Sequence, residues 1–128
     1  MKAVMIETDI KNRFDCRLGN SFFTRFFGLM GQTLSQGDSM LLTPCTQVHS
    51  CFMRSCIDVI YLDKQNTVIA IDLNMKPFAM GSFVKGCHSV LELFAGDAGR
   101  YGIGINTTLN ITEKRKELLH GYRSTSES

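Results

Sequence analysis

The clearest pattern in the chain is an apolar run, Ile57–Leu62, followed by the polar tetrapeptide 63–66 and a second β-type run over 67–75. Two such runs joined by four polar residues predict a hairpin. In the first run both alternating sets, Ile57, Val59, Tyr61 and Asp58, Ile60, Leu62, are largely apolar, so this strand is expected to be covered on both faces. In the return run strict alternation assigns Thr67, Ile69, Ile71, Leu73 and Met75 to one face and Val68, Ala70 and Asp72 to the other. Shorter β-type pieces are Lys2–Glu7 and 14–17 around a polar turn at 9–12, then 40–43 stopped by Pro44, then 86–94 with Val90, Leu91 and Leu93 as its apolar part, and finally 107–112.

One segment has helical rather than β periodicity. Between Ser21 and Gly31, the residues Phe22, Phe23, Phe26, Phe27 and Met30 recur on one face of a helix. Asn20 or Ser21 can cap its start, since a side-chain oxygen satisfies an orphan N–H there, and Gly31 can end it. The glycine-rich stretch 95–104 suits a turn with one helical turn, and 113–119 a short amphipathic helix. Strands joined by hairpins with one early helix predict an α+β, mainly β chain. The expected architecture is a compact antiparallel sheet or a small partly closed barrel, with the helix near Ser21–Gly31; closure would explain strands with two apolar faces. Residues 1–122 are read as one globular domain and 123–128 as a frayed tail.

Composition narrows the class. The chain has 128 residues, 44% hydrophobic and 20% charged, which suits one domain with a real core rather than a disordered segment. A formal charge of +2 is too small to build a nucleic-acid groove, and Lys114, Arg115 and Lys116 read as a solvated face. No apolar run approaches the roughly 20 residues of a membrane span, and no leader is visible, so a cytoplasmic monomer is expected. Five cysteines, an odd number, then default to reduced thiols.

Four ordered elements resemble a known family. They are Arg25, Gly28, Leu29 and Met30; Met40 and Leu41 before Pro44; Val48, His49 and Ser50 with Met53, Arg54 and Ile57 through Asp63; and Val90–Leu93 with Ala95 and Gly96, followed by Gly102 and Ile103. In this order and spacing the chain resembles domain-of-unknown-function family 192, an uncharacterised bacterial and archaeal family, over about residues 22–111. The chain departs from that pattern in two places. Ser55 and Cys56 stand where the family has Phe-Pro, and Asn106-Thr107 where Gly-Asp often opens the last strand. The resemblance implies a small β-rich domain and no known activity. Arg25, Gly28, Met30 and Met53, which fall on these motifs, are read as structural positions.

The densest chemistry lies in 48–63. His49 has a side chain that titrates near neutrality and can act as base or ligand, although such a residue more commonly holds a loop carbonyl. Asp58 shares a strand face with Ile60 and Leu62, so it should be buried and in need of a partner, with Arg25 and Arg54 as candidates. An anchor is the commoner role for such a group. Glu92, between Leu91 and Leu93, is the second strand carboxylate, and convergence with Asp58 would create a carboxylate pair able to bind a cation or move protons. His49, Arg54, Asp58 and Glu92 are therefore the candidate ligand-binding residues. Cys45, Cys51 and Cys56 with His49 are zinc-type donors, but five and four residues intervene between successive cysteines, so no metal and no cofactor are expected. Met30, Met40 and Met53 are better explained as gap-filling core than as a soft-metal site.

No phosphate loop, dinucleotide fingerprint or serine elbow occurs, and no cysteine has an evident nucleophile context. The reading these residues favour is a non-enzymatic module that binds a small molecule or peptide. The alternative is a hydrolase-like or metal-dependent enzyme using a His/carboxylate cluster. A third possibility is strand addition across an exposed sheet edge.

Overall fold

In a computed structural model, which describes residues 2–19, 34–44, 55–76, 81 and 83–113, these described residues build a seven-stranded sheet with one short helix. The first hairpin joins β1 (Lys2–Glu7) to β2 (Arg13–Gly19). Its turn is held by Thr8 N donating to Asn12 O at 2.8 Å and by Asn12 N donating to Thr8 Oγ1 at 3.1 Å. β2 then pairs in parallel with β3 (Ser39–Leu42), the one parallel pair among these strands.

The predicted central hairpin forms between β4 (Ile57–Leu62) and β5 (Val68–Met75). Asp63 organises its turn. Its carboxylate Oδ1 accepts from Gln65 N at 2.9 Å and Thr67 N at 3.0 Å, and Asn66 takes the left-handed conformation at φ 64°. An Asp that bonds the backbone two residues on, followed by an Asn tolerant of positive φ, is the chemistry such a turn needs. β4 also pairs with β6 (Ser89–Phe94), and β6 with β3. One helical turn, α1 (Asp97–Arg100), lies within the stretch where such a turn was expected, and β7 (Asn110–Glu113) returns to pair with β1.

The resulting order is β5-β4-β6-β3-β2-β1-β7. The sheet is mostly antiparallel and not closed, but its two ends meet at one corner. Thr67 and Thr108 form an isolated bridge, Val68 N donates to Thr107 O and Asn106 N to Val68 O, both at 2.8 Å, and Leu109 N donates to Asn66 O at 2.9 Å. The fold is thus mainly β with a curled antiparallel sheet, as the periodicity predicted. The expected helices at 21–31 and beyond Glu113, and the tail at 123–128, lie outside the described residues.

Both faces of the sheet are buried, as the two-sided apolar pattern of β4 required. The first face gathers Val4, Ile6, Cys16, Leu41, Ile60, Leu62, Leu91 and Leu93, with Ala98 and Tyr101 of the α1 corner. The second gathers Leu34, Met40, Leu42, Ile57, Val59, Tyr61, Met75 and Val90. One detail differs from simple alternation. Register shifts between Ile57/Val59 and Tyr61/Leu62 break the period of β5. Ile69 therefore packs with the second cluster and Ile71 with the first, although strict alternation assigns them to one face. An extra residue in one strand reverses the facing of everything beyond it, and no periodicity argument detects that in advance.

Candidate functional site

Of the candidate ligand-binding residues, Asp58 and Glu92 fall within the described structure. His49, Arg54, Arg25, Gly28, Met30 and Met53 lie outside it, as do Cys45 and Cys51.

Asp58 is 1% exposed, and its carboxylate is filled by backbone donors. Asn74 N donates to Oδ1 at 2.8 Å, while Gly96 N and Ala98 N donate to Oδ2 at 2.8 and 3.1 Å. Asn74 sits at φ 54°, in the irregular end of β5, and Gly96 at φ 99° caps α1. Asp58 therefore ties β4 to the kinked end of β5 and to the start of α1. Charge-assisted bonds to backbone N–H groups are short and strong, and they leave this carboxylate well satisfied where it stands.

A second buried acid completes the corner. Asp97 is 2% exposed; its Oδ2 accepts from Gly37 N at 2.8 Å and its Oδ1 from Arg100 Nε at 3.0 Å. The Arg100 guanidinium lies 4.7 Å from the Tyr101 ring centroid, and that ring stacks on Phe14 at 4.2 Å. The α1 corner is thereby bolted to the 34–38 turn and to β2. At Gly102 the chain turns at φ 72°, and a Cβ there would run into Ile10 Cδ1. Glycine is needed at that position for its left-handed conformation, since the exposed tip of Ile10 can move aside.

Glu92 has different surroundings. It shows no exposed surface and is paired across the strands with Met40 of β3 and Val59 of β4. Directly opposed residues in a ladder share a face. Asp58 is opposed to Leu93, so Asp58 belongs to the first face, while Glu92 belongs to the second with Val59. The two carboxylates do not converge. Adjacent positions on a strand alternate sides, and the antiparallel register of β4 and β6 carries that alternation across.

The second face instead holds a row the sequence reading did not assemble. Asp72 is opposed to Val59 on one side and Glu92 to Val59 on the other, so Asp72, Val59, Glu92 and Met40 line up across β5, β4, β6 and β3. With strands about 4.8 Å apart, Asp72 and Glu92 have Cα atoms roughly 10 Å apart on one face. Tyr61, two residues along from Val59 and fully buried, donates its hydroxyl to Asp72 Oδ2 at 2.7 Å. The available signal was an Asp in the middle of a largely apolar strand.

Two of the described cysteines behave as packing groups. Cys16 and Cys87 are buried, and burial pushes the Cys16 thiol up to about 12 against the lowering effects of Ser39, Arg17 and Leu41. Such a thiol is unreactive at neutral pH. No group of three or more His, Cys, Asp or Glu side chains with metal-site geometry occurs among the described residues.

With this geometry in place, the family assignment rests on a direct match. A family model described as "Uncharacterized ACR", domain-of-unknown-function family 192, covers residues 4–111. The chain belongs to this family, DUF192. Two solved structures are similar to the DUF192 chain. One, from Sinorhizobium meliloti, is described as a "putative transcription regulator"; it is 21% identical with a TM-score of 0.71, covering 86% of this chain and 92% of that one. The other, a protein of unknown function from Novosphingobium aromaticivorans, is 21% identical with a TM-score of 0.70, covering 84% and 83%. At this identity the likeness shows the DUF192 fold alone. No curated protein matches the chain. Among the described residues no helix is long and apolar enough to cross a membrane.

Proposed function

We propose that this DUF192 domain is a non-enzymatic binding or accessory module that takes a small ligand or a short peptide. The site draws on Glu92, His49 and Arg54, with Asp58 bracing the strand beneath. The observation that carries the reading is Glu92, a carboxylate without exposed surface, set in one row with Asp72 on the face that also holds Tyr61. His49 and Arg54, which precede β4 in the sequence, supply the other polar groups of the proposed site.

The alternative, an enzyme using His49, Asp58 and Glu92 as one cluster, needs both carboxylates to reach a common point. Metal ligation, for instance, requires oxygens within about 2.6 Å of the ion. Their positions on opposite faces argue against that cluster. The net charge of +2 favours a ligand or peptide over nucleic acid, and the description of the Sinorhizobium meliloti protein belongs to that protein. We further take the domain to act as a cytoplasmic monomer, which light scattering on the full chain checks for its oligomeric part.

The direct test is a thermal-shift screen of the full chain against metabolites, nucleotides and short peptides. A ligand present at about 100 times its Kd should add about 2.7 kcal/mol, roughly 10 °C in a chain of this size. Glu92→Gln should abolish that shift while the variant still unfolds cooperatively. No stabilisation by any compound at millimolar concentration would overturn the proposal for small ligands and short peptides.

A further inference from the structure

We draw no further inference here: the strongest candidate, the outer edge of β5 with exposed Leu73 on that strand, carries nothing because no described residue shows what covers it.

Discussion

Asp58 and Glu92 stand on neighbouring strands, each buried almost completely, yet they meet different kinds of surroundings. Asp58 faces backbone: its oxygens accept from Asn74, Gly96 and Ala98 N–H groups that no ladder bond would otherwise satisfy. Glu92 faces side chains, with Met40 and Val59 across the strands and the Asp72–Tyr61 pair further along the same face. A carboxylate bound by backbone donors holds architecture, because its partners cannot move without moving the chain. A carboxylate set among side chains is the one whose partners can be exchanged. Burial alone does not separate the two cases, and what surrounds each carboxylate does.

The sharpest way to break this contrast is to remove each charge in turn. Asp58→Asn turns one acceptor oxygen into a donor against backbone N–H groups, and should cost about 2–4 kcal/mol in chemical denaturation. Glu92→Gln should cost less, since the amide keeps the shape and can still accept and donate; a larger loss at Glu92 than at Asp58 would reverse the assignment of roles. Next in size is Gly102→Ala at the α1 corner, expected to lower stability by about 1–2 kcal/mol through its left-handed backbone. Because Ile10 is 61% exposed, its tip can move aside, so trimming Ile10 in the same chain should recover little of that loss.

On the second face, Tyr61→Phe removes the hydroxyl that Asp72 accepts and should lower the unfolding midpoint by an amount equivalent to about 1 kcal/mol. A neutral outcome would mean that the Asp72–Tyr61 pair contributes little to holding that row.

The last effect is absent at neutral pH and confined to alkaline conditions. The folded Cys16 thiol titrates at about 12 rather than 9.0, so the folded state keeps a proton that the unfolded chain releases. Its contribution to stability is complete below about pH 9 and is lost as pH rises from there towards 12. Cys16→Ala should therefore flatten the decline of stability above pH 9, measured by urea unfolding at a series of pH values. The same burial predicts that Cys56, which is partly exposed, reacts with a thiol reagent before Cys16 or Cys87 does.

Much of the fold was legible because it rests on local rules. The β4–β5 hairpin follows from two apolar runs around Asp63–Asn66, where side-chain chemistry dictates the turn. The burial of β4 on both faces follows from apolar residues at every position but Asp58, and the single helical turn at Asp97–Arg100 falls within its glycine-rich stretch. Asp58 was legible as a buried carboxylate in need of a partner. Its three backbone donors were not, because Asn74 is 16 residues away and Gly96 and Ala98 are 38 and 40 away. Nothing local announces such a meeting.

Which residues are β-type, where the chain turns, that β4 is apolar on both faces, and which family motif the chain carries all follow from the order of residues. Each of these depends on neighbours a few positions apart. Tertiary structure alone decided which face each carboxylate occupies. That outcome depends on strand register and on the two irregularities of β5, and a one-residue shift moves a side chain from one face to the other. Asp58 was thus parted from Glu92, and Glu92 was set instead in one row with Asp72.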